Sequence, residues 1–267
     1  KKLNIKIVHT LRDYYLQCPK SIKFKNNINC MHLCFDCKLL SSPKKTDTIL
    51  VDYLIGISNY ILNDHIKNGY FKDIPNKTIY NGFDIKNIRY KRARDKKIVF
   101  GFMGQINESK GIELLLKSLS KIEFGNWKLR IAGNLEEQYH AKLKSINSSN
   151  KIEYLGYITR DTFFEEIDLL IVPSLWHEPF GRVVLESHIY NTPVLASNVG
   201  GISELMFTNK NFLFEASESI LIQKLEEIIS NPKILDDFYF DQEFIEKFSI
   251  ETSMNKYIEI FKKLINT

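Results

Sequence analysis

Asp168-Leu169-Leu170-Ile171-Val172-Pro173-Ser174 decides the fold, because it is a short, almost wholly apolar run that stops at a proline. A run of this kind is typical of a strand that is buried on both faces of a sheet. The next apolar segment begins at Gly181 and continues with Val183, Val184 and Leu185, which predicts a buried helix. A buried strand followed by a helix is the repeating unit of a parallel α/β sheet.

The same alternation extends over the C-terminal two-thirds of the chain. Strands are predicted at 98–103, 127–132, 152–156, 168–173, 193–197 and 211–214, with helices at 111–121, 136–146 and 218–230. Apolar strands separated by amphipathic helices indicate a doubly wound parallel sheet, whose ligands lie beyond the carboxyl ends of the strands.

The first part of the chain has a different pattern. Strands are predicted at 5–10, 53–58 and 77–80, with a helix at 59–67 and a polar, cysteine-containing stretch at 18–45. The basic run 86–97 is interpreted as a solvated linker, with attraction to an anionic membrane surface as the alternative. We expect three parts, 1–95, 96–248 and 249–267, the last of which forms a helix at 250–265 that packs back on the first domain.

Composition narrows the class of protein. The net charge is only +5, and no basic patch is interleaved with aromatic residues, so a nucleic-acid partner is disfavoured. No apolar run approaches the roughly 20 residues of a membrane span. The N-terminal residues do not resemble a signal peptide, so we expect a cytoplasmic protein, with the inner membrane face as a second location. Because the chain enters a strand at once without a starting Met, we expect a fragment or a processed chain.

Two carboxylates, Glu178 and Glu186, flank Gly181 at the predicted helix start. A helix N-terminus attracts phosphate through unpaired N–H groups and the positive end of its dipole. Eight residues of helix span roughly 12 Å, so these carboxylates could hold hydroxyl groups on either side of a diphosphate. The alternative is an ordinary solvated loop followed by a surface helix.

Three segments occur in one order: 104–111 (Gly-Gln-Ile-Asn-Glu-Ser-Lys-Gly), 178–186 and 198–205 (Asn-Val-Gly-Gly-Ile-Ser-Glu-Leu). Together they resemble the family-4 retaining glycosyltransferases. The resemblance is close over 98–206 and looser elsewhere, including 79–84. It implies the GT-B type of α/β fold, with two Rossmann-like domains, of which the first is incomplete here.

The resemblance also implies roles in binding a nucleotide sugar. Lys110 would neutralise the donor diphosphate, Glu186 would accept the ribose hydroxyls, and Glu178 would hold a hydroxyl of the sugar. In the family an Arg follows the first glycine, but this chain has Gln105, so Arg182 or another cation would have to compensate. The other implied binding positions are Gly104, Gly133, Phe180, Gly181 and Val183.

The first domain departs from the family at a second position. Related sequences carry a His on the acceptor side of the cleft, where this chain has Arg12, and His9 lies three residues earlier. Both are candidate catalytic residues. Alternatively, His9 is a strand-end residue satisfied by the backbone. The family's front-face mechanism lets a phosphate oxygen take the acceptor proton, so the Arg is compatible with activity.

The four cysteines, Cys18, Cys30, Cys34 and Cys37, lie within twenty residues of one another. Four thiolates suit a structural zinc ion. Free, buried thiols that pack as small apolar groups are the alternative.

The resemblance therefore implies a retaining glycosyltransferase that needs no catalytic metal. It would transfer a sugar from a UDP- or GDP-sugar to a glycan or lipid-linked acceptor, in bacterial surface polysaccharide synthesis. If the chain is truncated, we expect donor binding without normal turnover. The alternatives are a non-catalytic binding module with a Cys-rich segment and a sugar-nucleotide epimerase.

Overall fold

The computed structural model describes residues 5–85 and 97–266. The strands are β1 Val8–Leu11, β2 Phe24–Lys25, β3 Ile28–Asn29, β4 Tyr53–Gly56, β5 Asn76–Thr78, β6 Ile98–Met103, β7 Trp127–Ala132, β8 Ile152–Gly156, β9 Leu169–Val172, β10 Val194–Ser197 and β11 Leu213–Phe214. The α-helices are α1 Phe35–Asp47, α2 Asn59–Lys67, α3 Ile112–Ser120, α4 Glu137–Ile146, α5 Arg160–Glu165, α6 Arg182–Ile189, α7 Ile202–Leu205, α8 Glu218–Ser230, α9 Gln242–Glu246 and α10 Ile250–Ile265. Short 3₁₀ helices cover Thr48–Leu50, Glu108–Lys110, Lys210–Phe212 and Pro232–Asp237.

The chain divides into two compact units. Unit 1 consists of Lys1–Lys86, Trp176–Phe180 and Gln242–Thr267, and unit 2 consists of Asn87–Leu175 and Gly181–Asp241. The predicted linker 86–97 and the predicted boundary after residue 95 lie outside the described residues, apart from Lys97. The contiguous limits expected from the sequence stay a prediction.

Unit 2 is built on a six-stranded sheet in the order β11-β10-β9-β6-β7-β8. All of its pairs are parallel. β9 and β10 are buried along their whole length, as expected for strands covered on both faces. The predicted α/β class with a parallel sheet is therefore confirmed, and three of the predicted strands coincide with β6, β7 and β8.

The strand order of unit 2 reverses between β6 and β9. β6 pairs with β7 on one side and with β9 on the other, so the chain winds outward from β6 in both directions. In open α/β sheets, ligands bind outside the carboxyl ends of the strands at such a reversal. The loops that follow β6 and β9 are therefore where a site is expected.

Unit 1 contains a three-stranded parallel sheet in the order β1-β4-β5. The C-terminal helix α10 packs on this sheet through Ile260, which joins Ile55 and Ile79 in one buried cluster. Two polar contacts add to this packing: Ser253 Oγ donates to the Tyr80 carbonyl at 2.9 Å, and the Thr10 and Tyr257 hydroxyls lie 3.3 Å apart. The last 26 residues thus complete the core of the unit that begins the chain.

The polar stretch predicted at 18–45 contains regular structure instead. A two-stranded antiparallel hairpin joins β2 to β3, and α1 follows it. The turn consists of Asn26 and Asn27, both with positive φ (52° and 59°), a conformation that asparagine tolerates and that tight hairpin turns require. β1 also begins later than predicted, at Val8, since Ile5 and Ile7 are exposed.

The close packing of the loops after β6 and β9 can be tested by substituting Gly111, with Gly156 at the end of β8 as the control. Gly111 and Gly156 both have positive φ, 74° and 65°, so an alanine at either position costs about 1–2 kcal/mol of backbone strain. A Cβ at Gly111 would also lie 1.8 Å from the Pro173 carbonyl oxygen, whereas a Cβ at Gly156 meets no atom within 4 Å. We expect Gly111→Ala to lower the free energy of unfolding well beyond Gly156→Ala in urea titrations. Equal losses would contradict this close contact.

Buried histidine makes stability depend on pH. His188 in α6 packs against the rings of Phe238 and Phe240, and burial lowers its pKa to about 4. The unfolded chain takes up this proton near pH 6.5, so the free energy of unfolding falls as the pH drops from about 6.5 to about 4. The loss is on the order of 3 kcal/mol.

The measurement is urea unfolding at several pH values between 7.5 and 4.5. His188→Leu should flatten the decline only in part, because burial also lowers the pKa of His65 in unit 1 to about 4. If the free energy of unfolding of His188→Leu fell with pH as that of the wild type does, His188 would not be the source of the pH dependence.

Candidate functional site

The loops that follow β6 and β9 are joined at their backbones. The Leu175 N–H donates to the Ser109 carbonyl at 2.9 Å. Next to this bond, Gly111 leaves no room for a side chain beneath the Pro173 carbonyl. The two loops therefore form one platform at the carboxyl edge of the sheet, where the strand order reverses.

Gly104 opens the loop after β6. Its φ is 149°, and a Cβ placed on it would meet no heavy atom within 4 Å, so this stretch of backbone faces open space. Gly133 has a different reason to be glycine, since its Cβ would lie 2.0 Å from the Gly104 carbonyl oxygen. Both glycines were predicted to be ligand-binding positions. Gly104 leaves space for a ligand, whereas the need for glycine at 133 is explained by contact with the neighbouring loop.

Lys110 ends the short 3₁₀ helix that follows Gly104. The side chain of Asn107 caps this helix: its Oδ1 accepts from the Lys110 N–H at 3.2 Å and from the Ser109 hydroxyl at 2.7 Å. The Lys110 side chain is half-buried, and Gln105 is exposed. The loop is thus fixed by its own hydrogen bonds, and Lys110 is held at the edge of the platform.

Glu186 lies in the middle of α6 and is only 6% exposed. Arg160 Nη1 and Arg182 Nε both donate to the same carboxylate oxygen, Oε1, at 3.0 and 2.9 Å. Within the described parts of the chain, no hydrogen bond engages the second oxygen, Oε2. The carboxylate is therefore oriented through one oxygen, and the other remains available as an acceptor.

Arg160 was not identified from the sequence. It is the first residue of α5, in the segment that follows β8, and both it and Arg182 are exposed. The signal in the sequence was weak, because a single arginine 26 positions before a glutamate indicates nothing until the strands are paired. Two guanidinium groups thus lie beside the predicted ribose-binding carboxylate.

Gly181 begins α6 in a left-handed conformation, with φ 91° and ψ 50°. A Cβ here would lie 2.8 Å from the Ile202 side chain, so a side chain at 181 would separate α6 from α7. No side chain caps α6, and in its first turn the Val184 N–H donates to the Gly181 carbonyl at 2.9 Å. The predicted buried helix is confirmed, with Val184 and Leu185 fully buried.

The segment Trp176–Phe180, which precedes α6, belongs to unit 1. The His177 carbonyl accepts from the Tyr14 hydroxyl at 2.7 Å, and the His177 N–H donates to Asn29 Oδ1 at 2.9 Å. The Ser58 hydroxyl donates to the Pro179 carbonyl. Three separate parts of unit 1 thus hold the backbone of this five-residue segment.

Aromatic contacts anchor the end of the same segment. The Phe180 ring lies 6.1 Å from Tyr80, 6.4 Å from Phe83 and 6.0 Å from Phe248, measured between ring centroids. Phe180 was expected to be a binding position, and its side chain has this structural role within unit 1. Glu178 is 7% exposed and is fixed with the segment.

The predicted site residues therefore fall into two sets. Unit 2 carries the predicted diphosphate and ribose residues: Gly104, Gln105, Lys110, Gly133, Gly181, Arg182, Val183 and Glu186. Unit 1 carries Glu178 and Phe180 together with His9 and Arg12. The two glutamates of the motif, eight positions apart in the chain, thus belong to different units.

His9 and Arg12 lie in and just after β1. The His9 ring packs 5.2 Å from the Phe71 ring, and burial lowers the pKa of His9. The neutral form of the half-buried His9 ring is therefore favoured, while Arg12 is exposed. Their catalytic roles stay predictions.

The predicted zinc site is not formed in this structure. In the described ranges 5–85 and 97–266, no three His, Cys, Asp or Glu side chains are arranged to hold a metal ion. None of the four cysteines forms a disulfide. Burial, together with thiol hydrogen bonding to Cys34 and Cys18, raises the pKa of Cys37 to about 12, so this sulfur is a thiol when no metal is bound. Zinc stays a prediction that the side-chain arrangement does not support.

The helices of the described residues include none that is both long and apolar enough to cross a membrane.

Sequence comparison gives relatives along almost the whole chain. The chain is 32% identical over 263 residues to an uncharacterized 42.6 kDa protein in the cps region of Klebsiella pneumoniae, covering 98% of this chain and 66% of that protein. It is 34% identical over 150 residues to the uncharacterized glycosyltransferase MJ1607 of Methanocaldococcus jannaschii, covering 49% and 38%. A more distant relative, 24% identical over 163 residues and covering 55% and 40%, is the capsular polysaccharide biosynthesis glycosyltransferase CapM of Staphylococcus aureus. The chain thus spans less than two thirds of the length of these relatives.

Structural comparison gives the fold. The chain superposes with a TM-score of 0.78 on Anabaena HepE, crystallised in complex with UDP and glucose, at 21% identity and covering 97% of this chain and 72% of that one. At this identity the likeness concerns the fold alone, and it confirms the expected GT-B type. The model of the family named Glycosyl transferases group 1 matches residues 84–240, more than half of the chain. The chain therefore belongs to the Glycosyl transferases group 1 family.

Proposed function

We propose that this chain carries the donor site of a retaining glycosyltransferase, which transfers a sugar from a nucleotide sugar to a lipid-linked or glycan acceptor. The observation that carries the proposal is Glu186. A buried carboxylate held by two arginines through one oxygen is oriented in advance for a ligand at the other. Two adjacent ribose hydroxyls are donors of the kind that carboxylates accept in nucleotide sites.

The diphosphate of the donor would lie over the platform formed by the loops after β6 and β9. Gly104 leaves that surface open, and Lys110 at its edge supplies a compact positive charge to the departing phosphate. Gln105 carries no charge where the family has an arginine. Arg160 and Arg182 are the cations that would compensate, since both already contact the carboxylate that binds the neighbouring ribose.

The N-terminus of α6 adds a second source of positive potential. The positive end of its dipole favours a phosphate oxygen near Gly181, where no side chain caps the helix. In a retaining front-face transfer, the charge that develops on the leaving diphosphate is the charge to be stabilised. Lys110 and the α6 N-terminus would share this task.

Glu178 would hold a hydroxyl of the transferred sugar, and His9 and Arg12 would line the acceptor region. The relationship to CapM and to a protein of a cps region supports a role in surface polysaccharide synthesis. The crystal structure of HepE with UDP and glucose supports a UDP-sugar as the first donor to test, with GDP-sugars as the alternative. Peripheral contact with the inner membrane face belongs to the same proposal.

A crossed binding experiment tests the donor site without requiring turnover. UDP, GDP and ADP are screened by thermal shift, and the best diphosphate is then compared with its nucleoside by calorimetry. Glu186→Ala should lower the affinity for both the nucleoside and the diphosphate by about tenfold to a hundredfold, because each ligand loses hydrogen bonds to a charged group. Lys110→Ala should lower the affinity for the diphosphate but leave the affinity for the nucleoside unchanged, because it removes only a contact to phosphate.

The control is Glu227→Ala, which removes an exposed glutamate from α8 and should leave both affinities unchanged. Glu186→Gln keeps the shape of the side chain and should restore only part of the nucleoside affinity. A protein that no nucleotide stabilises would favour the binding-module alternative. If Lys110→Ala weakened nucleoside and diphosphate equally, the assignment of Lys110 to the phosphate would be wrong.

A further inference from the structure

Helix α1 turns its apolar side chains outward. Phe35 and Leu39 lie one turn apart on the same side of the helix and are 78% and 65% exposed. The buried residue of this helix is Ser41. A helix on the surface of a globular protein normally does the opposite and faces its apolar side to the core.

The hairpin before α1 extends the same feature. Ile28 in β3 is 68% exposed, and Met31 in the following loop is 80% exposed. Single exposed apolar residues are ordinary, but four large ones within twelve positions indicate a surface that contacts another apolar phase. We call Ile28, Met31, Phe35 and Leu39 the outer apolar surface.

This surface belongs to a firmly held part of unit 1. Lys44 Nζ donates to the Tyr15 carbonyl at 3.0 Å, and Lys45 Nζ donates to the Asn68 carbonyl at 2.7 Å. The hairpin is fixed by the bond from the Asn29 side chain to the His177 N–H. Lys44 and Lys45 lie three and four positions after the buried Ser41 and so share its side of α1, whereas Phe35 and Leu39 lie on the outer side.

The charge of the same region is strongly one-sided. Residues 12–47 contain seven Lys or Arg and three Asp, and so carry four of the five net positive charges of the whole chain. Lys25 and Lys38 are exposed and lie close in sequence to the outer apolar surface. Apolar side chains flanked by lysines have the composition of segments that lie in the headgroup region of anionic bilayers.

We propose that the outer apolar surface docks on an anionic phospholipid membrane. Met31, Phe35 and Leu39 enter the boundary between headgroups and acyl chains, while Lys25 and Lys38 contact lipid phosphates. Both signals are needed, because neither a few apolar side chains nor a few lysines alone give stable binding.

The docked segment is directly bonded to a part of the proposed site. Asn29, next to Ile28, holds the backbone of His177, and Glu178 follows His177 in the chain. A membrane at the outer apolar surface would therefore bring a lipid-linked acceptor to the unit that carries Glu178. The docking assigns a surface to the peripheral membrane contact of the proposed function, and the delivery of an acceptor rests on that function as well.

Vesicle flotation tests the docking. The protein is mixed with vesicles of phosphatidylcholine alone or with added phosphatidylglycerol, and the bound fraction is measured. We expect binding to the anionic vesicles, at least about tenfold weaker binding for Phe35→Glu, and a comparable loss for Lys25→Glu/Lys38→Glu or in high salt. The matched control is Phe207→Glu, which alters a similarly exposed phenylalanine of unit 2 and should bind as the wild type does.

Three results would overturn the proposal: no binding to anionic vesicles, equal binding by Phe35→Glu and the wild type, or equal loss in Phe207→Glu. A wild-type dimer in sedimentation that Phe35→Glu dissolves would identify a second copy of the chain as the occupant. Since Phe35 is exposed, its variant should keep the wild-type unfolding curve. Nucleotide affinity is measured in the same samples. Normal nucleotide affinity without vesicle binding would count against the docking alone, whereas a lack of nucleotide binding would count against the proposed function.

Discussion

The parallel pairing of β6 with β9 is the constraint on which the rest of unit 2 depends. It places Phe100 opposite Leu169 and Gly101 opposite Leu170, so two strands far apart in sequence end at the same edge. Gly101 permits this pairing to be covered closely, because a Cβ there would lie 2.5 Å from Ile167 and 2.7 Å from Phe163. Because the two strands are adjacent, the loops that follow them are in contact. Glycine at 111 and the hydrogen bond from the Leu175 N–H to the Ser109 carbonyl allow this close contact.

Much of this architecture could be predicted from local patterns. The bounds of α2, α8 and α10 match the predicted helices to the residue, because amphipathic runs there end at clear breaks and two of them begin at a capping serine. β11 is shorter than predicted, since its first residues form a 3₁₀ turn. Local sequence is sufficient to predict a helix where the period of its apolar residues and its capping residues indicate the same bounds.

The features that could not be predicted depend on distant contacts. Residues 18–45 look like a polar loop because the helix within them buries a serine and exposes its apolar side chains. Arg160 gains its meaning only when β8 and α5 bring it to Glu186. The Trp176–Phe180 segment follows a strand of unit 2 and looks like an ordinary connecting loop. Its membership in unit 1 depends on Tyr14, Asn29, Ser58 and Phe248, none of which is near it in sequence.

The three-part composition of unit 1 has a consequence for the order in which the protein folds during synthesis. Unit 2 is complete in sequence once residue 241 has left the ribosome, whereas the core of unit 1 needs Ile260 from the last helix. The N-terminal segment therefore cannot complete its core until the whole of unit 2 has been synthesised. This reverses the usual N-to-C order of domain folding.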